Sequence, residues 1–519
     1  MKQNVVPAAS APPDVSLSLL ASPPPVIARR DVVPTWQSII PNKHMQIISI
    51  YTKFKQCASV TTDTRTLKGG EMFFALKGEN FDGNEYALAA LGAGARYAVV
   101  NASSKVGADC LAGALSPEVT ERLIVVEDTL KTLQELARWH RSMTFVDGKP
   151  LRVIALTGTN GKTTTKELIR EVLSVKYNVL ATEGNLNNNI GVPLTLLRIG
   201  SDTQLAVVEM GASHPGDIKE LVDIALPNFG LITNVGKAHL LGFGSFEGVK
   251  VTKGELYDYL RRTADKAFIN VDNPHLLQMA SERNLQHDPE RPDSLLIPYG
   301  LEYQGASVLP ASSVHPFLRV SVPSVSTLGP LVIDTNLIGA YNADNVMAAL
   351  AVGQYFGVSL EDAAHAIESY VPTNNRSQMQ RTDRNTLIVD AYNANPTSMA
   401  AALDNFAAVA ADYKVALLGD MLELGADSLA EHKAVIEAAS AGGFAMVCFV
   451  GKEFAAASAT ALPPASSMPA SAPAAAPTLR FFATSDDLAA HLAAEPLSSA
   501  TILIKGSRGT RMEKVIPTL

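Results

Sequence analysis

The sequence predicts an α/β protein of three domains arranged around a central phosphate-binding domain. Its 519 residues exceed the length at which one core keeps growing, so roughly three domains are expected. Short β-branched apolar runs alternate with helical patterns along most of the chain, as in sheets covered by helices. Residues 151–172 read LRVIALTGTNGKTTTKELIREV, which is strand, glycine loop and helix in succession.

The glycine loop is the most informative stretch. An apolar run over 153–156 leads into Thr157, Gly158, Thr159, Asn160, Gly161, Lys162, Thr163 and Thr164, and Leu168, Ile169, Val172 and Leu173 then recur at helical spacing. Gly158 and Gly161 let the backbone bend and approach a ligand, turning N–H groups and the positive end of the helix toward phosphate oxygens. Residues 158–164 are therefore the nucleotide-binding candidates, with Lys162 reaching the β- and γ-phosphates and the Thr163 hydroxyl holding magnesium. The longer G-x-x-x-x-G-K-[ST] pattern would place its first glycine where Leu156 stands. An ordinary turn explains the two glycines but not the Gly-Lys-Thr-Thr run.

Composition narrows the partners. Apolar residues make up 47% of the chain, enough for sizeable cores, and 43 basic against 51 acidic residues leave a formal charge of -8 with no electrostatic footprint for nucleic acid. Anionic ligands must be held by local sites. Cys57, Cys110 and Cys448 are widely separated and lack metal-ligand spacing, which suits reduced thiols of a cytoplasmic protein. No apolar run is long enough for membrane insertion as a helix.

Residues 1–44, rich in Pro, Ala, Ser and Val without sustained periodicity, are expected to be a disordered extension, with Met45 an alternative start. Residues 45–148 are expected to form a first domain. There Asp63, Thr64 and Arg65 follow a strand and offer a hydroxyl and a guanidinium suited to a diphosphate or uracil-ribose ligand, although a surface turn explains them equally well.

Residues 149–371 are expected to form the central domain. The apolar run 205–208 delivers Glu209, and the run 231–234 leads to His239. Ligands collect at the carboxyl ends of strands in an open α/β sheet, so Glu209 and His239 are expected to converge on the glycine loop and share a second metal ion. The segment from Thr182 through Asn187 and Asn188 to Pro193 concentrates amide groups that no core requires. Asn342 and Asn345 lie one turn apart at the start of an alanine-rich helix, where they are suited to reading a purine edge or to capping the helix.

Taken together, TGTNGKTTT, TEGNLNNNIGVPLTLL, EMGAS, GKAHLLGFGS, TKGE, GAYNADN, VDAYNANPTSM, LGDMLELG and KGSRGTRM resemble the Mur ligases from about Met45 onward, in that family's order. TDTR and the pairing of DAYNANP with LGDMLELG are most similar to the member that joins D-alanyl-D-alanine to UDP-N-acetylmuramoyl-tripeptide. The Asp-Asn-Pro-Arg segment expected of the diaminopimelate-adding member is absent. Tyr341-Asn342 departs from the family's usual His-Asn, whereas the short TGTNGKT loop is the family's own form.

The resemblance implies three domains, with a central P-loop ATPase domain and a Rossmann-like C-terminal domain over 372–519. It also implies an ATP- and Mg2+-dependent amide ligase, acting as a cytoplasmic monomer through an acyl phosphate. Lys162, Glu209, His239 and Lys253 would be its catalytic residues, and Thr163, Glu209, His239 and Lys253 its metal site. Lys253 matches the lysine that is carbamylated in the family, a change that turns a cation into a carboxylate. Arg376 and Asp390 match positions that reach the nucleotide from the C-terminal domain, so the site is expected to assemble on closure. Asp63, Thr64, Arg65, Thr182, Asn187, Asn188, Asn393 and Asn395 would be its substrate-binding residues. Residues 455–477, rich in Ala, Ser and Pro, are expected to be a flexible insertion. A folylpolyglutamate-synthase-like ligase would not need the Asp63-Thr64-Arg65 domain, and a non-catalytic nucleotide-binding relative would not need all four catalytic residues.

Overall fold

Strand Arg152–Thr157, buried from its second residue onward, lies within a six-stranded parallel sheet because its residues are apolar on both faces. The computed structural model describes residues 43–285, 294–312, 315–324, 329–373, 376–461 and 477–519. Residues 47–519 form one compact unit. The extension expected over 1–44 lies outside the described residues except for its last two, which begin helix Lys43–Phe54.

The central sheet runs Leu296–Tyr299, Lys266–Asn270, Phe229–Ile232, Arg152–Thr157, Leu205–Glu209, Val179–Ala181. From Arg152–Thr157 the chain crosses to the edge strand Val179–Ala181, returns to Leu205–Glu209 on one side, and only then takes Phe229–Ile232 on the other. A crevice opens where neighbouring connections diverge in this way, at the carboxyl ends of the strands. The register pairs Leu156 with Glu209 and Thr157 with Ile232, so Gly158, Glu209 and Thr233 emerge at one edge. The run expected over 231–234 is shifted: the strand ends at Ile232, and Thr233 and Asn234 leave the ladder to bond the glycine loop.

Helix Lys162–Ser174 buries Leu168, Ile169, Val172 and Leu173 completely, as their spacing predicts. They share a core with the alanine-rich helix Ala343–Tyr355. Gly353 permits the close approach, since a Cβ there would lie 2.4 Å from Val172 Cγ1. A three-stranded antiparallel sheet, Ser307–Leu309, Arg319–Val322 and Leu331–Asp334, extends this domain.

The first domain carries a parallel sheet ordered Val60–Thr61, Met72–Phe74, Tyr97–Asn101, Leu123–Val126. Its helix Thr129–Ser142 places Leu133, Leu136 and Ala137 in one core with Val192 and Leu196 of the central domain. The polar contacts agree: His140 Nε2 lies 2.9 Å from the Ile199 carbonyl, and Arg141 donates to the Leu226 carbonyl at 3.0 Å.

The C-terminal sheet is ordered Gln378–Arg381, Thr386–Asp390, Thr501–Lys505, Lys414–Gly419, Met446–Val450, Thr478–Phe482, parallel except for its first edge strand. Apolar clusters cover both faces, the doubly wound arrangement expected of a Rossmann-like domain. The insertion expected over 455–477 is a correction at its start. Helix Lys452–Ala461 continues into it as far as Ala461, with Ala457 fully buried, because alanine favours helix and its methyl group packs here. Residues 462–476 lie outside the described residues.

Candidate active site

The glycine loop is sewn to the end of the neighbouring strand. Asn160 N donates to Asn234 Oδ1 at 2.9 Å, and the Thr233 hydroxyl donates to the Asn160 carbonyl at 2.6 Å. Gly158 has φ +145, and a Cβ there would fall 2.0 Å from Thr233 Oγ1. Gly161 caps helix Lys162–Ser174 at φ +78, where a Cβ would fall 2.6 Å from Asn345 Oδ1. Both glycines are needed for conformation and for space. Thr233 and Asn234 were not singled out from sequence; their signal was polar residues directly after an apolar run.

Lys162 Nζ donates to the carbonyls of Gly158 at 2.8 Å and Thr159 at 3.2 Å, curled over its own loop. Burial lowers its pKa, against the pull of Glu209. Glu209, 1% exposed, is held at both oxygens: Thr163 Oγ1 donates to Oε2 at 3.0 Å and Asn187 Nδ2 to Oε1 at 2.8 Å. Asn187 thus shares Glu209 with Thr163, and Asn188 Oδ1 accepts from Gly191 N at 2.8 Å, fixing the turn beside it. Thr182 sits elsewhere than expected. It is buried behind Glu209, accepts from the Glu209 N–H at 3.0 Å, and does not line the cavity, because the β-sheet ladder draws it inward.

His239 and Glu209 line the same cavity, but each is engaged elsewhere. His239, at φ 50, contacts the Glu423 carboxylate through Nδ1, which leaves Nε2 for another partner. Burial lowers its pKa more than Glu423 raises it. Glu423, also left-handed at φ 67, belongs to the LGDMLELG segment, to which sequence reading gave no role. Lys253 is 2% exposed on helix Phe246–Thr263, with Nζ 5.6 Å from the Phe243 ring centroid. Burial first and then the Lys162 cation hold its pKa well below the usual lysine value, which favours the neutral amine.

The C-terminal domain closes the other wall. Asn395 Nδ2 donates to Asn160 Oδ1 at 2.8 Å, and Asn160 Nδ2 donates back to Asn395 Oδ1 at 3.4 Å. The same Asn395 caps helix Pro396–Ala408, its Oδ1 accepting from Ser398 N at 2.9 Å. Arg376 lies 3.7 Å over the Tyr392 ring, with its buried Nε lacking a protein partner; such a donor beside a cavity points to a ligand. Asp390 pairs with the buried Lys505 at 2.5 Å. Asn393 is exposed and lines the cavity.

Asn342 and Asn345 also line it, yet their amides are spent largely on the protein. Asn345 Oδ1 accepts from Thr165 at 2.9 Å, its Nδ2 donates to Asn342 Oδ1 at 2.8 Å, and Asn342 Nδ2 donates to the Ile338 carbonyl at 2.8 Å. Helix packing beneath Gly161 thus places them under the loop as well as in the cavity wall. Tyr341, at the departure from His-Asn, reaches Ser377 Oγ at 3.0 Å.

These residues enclose a cavity of about 770 Å³. Asp63, Thr64 and Arg65 are not part of its wall. They lie in the first domain, where the Arg65 guanidinium donates to the Asp63 carboxylate at 2.7 Å and its hydrogen bonds hold the Asp63 carboxyl down at about 2.

Sequence models described as "Mur ligase family, catalytic domain", "Mur ligase middle domain" and "Mur ligase, glutamate ligase domain" match residues 56–141, 156–353 and 375–508. The UDP-N-acetylmuramoyl-tripeptide--D-alanyl-D-alanine ligase of Escherichia coli K12 is 35% identical over 470 residues, spanning 89% of this chain and 93% of its own. This chain belongs to the Mur ligase family. The corresponding ligase of Haemophilus influenzae is 34% identical over 77% of this chain and 81% of its own. Among solved structures, MurF from Acinetobacter baumannii aligns with a TM-score of 0.74 at 27% identity, covering 91% of this chain and 97% of its own. Folylpolyglutamate synthase from Mycobacterium tuberculosis, at 15% identity and a TM-score of 0.53, shares the fold. The three matched segments follow the three domains of this Mur ligase, and the cavity lies where the middle and C-terminal segments meet.

Proposed function

We propose that this Mur ligase joins D-alanyl-D-alanine to UDP-N-acetylmuramoyl-tripeptide at the expense of ATP. The observation that carries the reading is one cavity combining the glycine loop, Glu209, His239 and Lys253 with Arg376 and Asp390 of the C-terminal domain. The peptide carboxylate attacks the γ-phosphorus of ATP, releasing ADP and forming an acyl phosphate. The dipeptide amine then attacks the carbonyl carbon, expels phosphate and loses a proton. Lys162 and the N-terminus of helix Lys162–Ser174 bind the phosphates, and Arg376 adds a guanidinium from across the cleft. With both domains at the cavity, closure excludes water that would hydrolyse the acyl phosphate.

The donor set fits magnesium. The Thr163 hydroxyl and Glu209 carboxylate meet at 3.0 Å, and hard oxygen ligands suit that ion, with phosphate oxygens completing the set. When bound, it neutralises charge on the transferring phosphoryl group. His239 Nε2 and Lys253 would hold a second ion. A buried neutral amine adds carbon dioxide to give a carbamate and a proton, and a carbamylated Lys253 would be a carboxylate facing the metal. Asp63, Thr64 and Arg65 are assigned to the UDP end of the substrate, Asn188 to the muramoyl peptide, and Asn393 and Asn395 to the C-terminal wall beside the acceptor. The proposed state is a monomer. Among the described residues no helix is long and apolar enough to cross a membrane, and the proposed setting is the cytoplasm.

Phosphate release tests the reading. It should require ATP, Mg2+, the UDP-muramoyl tripeptide and D-alanyl-D-alanine together, whereas equal turnover with free D-glutamate or a folate acceptor would overturn it.

A further inference from the structure

Ser377 follows Arg376 near the start of the C-terminal domain, and three groups converge on it. The Tyr341 hydroxyl lies 3.0 Å from Ser377 Oγ, Asn342 Nδ2 donates to the same oxygen at 3.3 Å, and Ser377 N donates to Asp390 Oδ1 at 3.4 Å. The first two groups belong to the central domain and the third to the C-terminal domain. Ser377 is 5% exposed and has φ 47, in the left-handed region that a residue with a β-carbon enters only at a cost. Such strain persists where the surroundings over-determine it, as the three bonds do here. Tyr341, where the chain departs from His-Asn, keeps its ring open to the main cavity while its hydroxyl reaches Ser377. An imidazole at that position would stop short of Ser377.

The strained turn sets the direction in which Arg376 leaves the backbone. Its guanidinium lies 3.7 Å over the Tyr392 ring, its buried Nε has no protein partner, and it lines the main cavity together with Lys162. The two cations repel: after burial, and against the pull of Glu209, Arg376 adds to the lowering of the Lys162 pKa. Two cations on one cavity are unfavourable by themselves and become favourable with a polyphosphate between them. We infer that Ser377 is a positioning residue: pinned by Tyr341 and Asn342, it aims Arg376 at the nucleotide phosphates only when the central and C-terminal domains are together. This rests on the ATP-dependent reading above and adds which residues orient the arginine and tie its orientation to domain closure. The Tyr341 hydroxyl thereby takes part in nucleotide recognition through Arg376.

A double-mutant cycle tests this, reading by calorimetry the affinity of the full chain for a non-hydrolysable ATP analogue with Mg2+. Tyr341→Phe keeps the ring and removes only the hydroxyl, so affinity should fall about two- to tenfold, the scale of one hydrogen bond. Arg376→Ala should lower it at least about tenfold. Adding Tyr341→Phe to Arg376→Ala should then weaken binding by no more than about twofold, because the pin acts through the arginine. Ser377→Gly separates strain from pinning. Glycine adopts φ 47 freely, so a purely conformational role gives unaltered or tighter binding, whereas loss of the pin gives a fall at least as large as that of Tyr341→Phe. Tyr341 is exposed to the cavity, so its phenylalanine variant should melt close to the unaltered chain, and Ser377→Gly reads the same pin independently. Unaltered affinity in Tyr341→Phe or Ser377→Gly, or effects of Tyr341→Phe and Arg376→Ala that simply add, would overturn the inference alone. An unaltered chain that does not bind the analogue would overturn the ATP-dependent reading with it.

Discussion

Asn395 performs two tasks that substitution can separate. Its Oδ1 caps helix Pro396–Ala408, and its Nδ2 donates across the cleft to Asn160 of the glycine loop. Asn395→Ser keeps a capping hydroxyl but is too short to reach Asn160, whereas Asn395→Ala removes both functions. Loss of a cap costs about 1 kcal/mol. For a domain the size of residues 372–519 that lowers the melting temperature by about 3–5 °C. The alanine variant should therefore melt below the serine variant by that amount, and serine should melt close to the unaltered chain. Loss of the cross-cleft bond removes a net contribution of about 0.5–1.5 kcal/mol from the closed arrangement. At about 1.4 kcal/mol per tenfold, both variants should lose about two- to tenfold in turnover. Differential scanning fluorimetry and coupled phosphate release read the two effects independently. Equal melting temperatures for the two variants, or full activity in Asn395→Ser, would refute this division of roles.

Three other outcomes are expected. Lys253→Ala should lose most activity and regain part of it with added acetate, which places a carboxylate in the vacated space; near-normal turnover without acetate would leave Lys253 without a role. Gly158→Ala adds backbone strain of about 1–3 kcal/mol and a clash with Thr233, so affinity for a non-hydrolysable ATP analogue measured by calorimetry should fall at least about tenfold. Lys505 is almost fully enclosed while Asp390 retains some exposure, so Asp390→Ala strands a buried cation and should cost about 3–5 kcal/mol in urea denaturation; Lys505→Met should cost less, because water can still reach the carboxylate.

Local order along the chain carried much of this protein's design. The stretch from 151 to 172 encodes its strand, loop and helix within one short segment, and each part is legible because apolar spacing and glycine act on near neighbours. The alternation of strand and helix along most of the chain likewise accords with the C-terminal sheet, which includes strands Met446–Val450 and Thr501–Lys505. Glu209 was legible as a strand-end carboxylate for the same reason.

Partners distant in sequence were decided only by tertiary structure. Asn160 meets Asn395 across 235 residues, and His239 meets Glu423 across 184. Nothing in the local pattern around Glu423 marks it, since its role comes from a loop conformation and from the histidine facing it. Asn342 and Asn345 show the converse: their one-turn spacing suited either a purine edge or a helix cap, and only the packing of helix Ala343–Tyr355 under Gly161 shows that they also bond to Thr165 and to each other while lining the cavity. Periodicity tells which face of an element is buried; which element lies against that face depends on the register of the whole sheet and on domain closure, and these place the polar groups that do the chemistry.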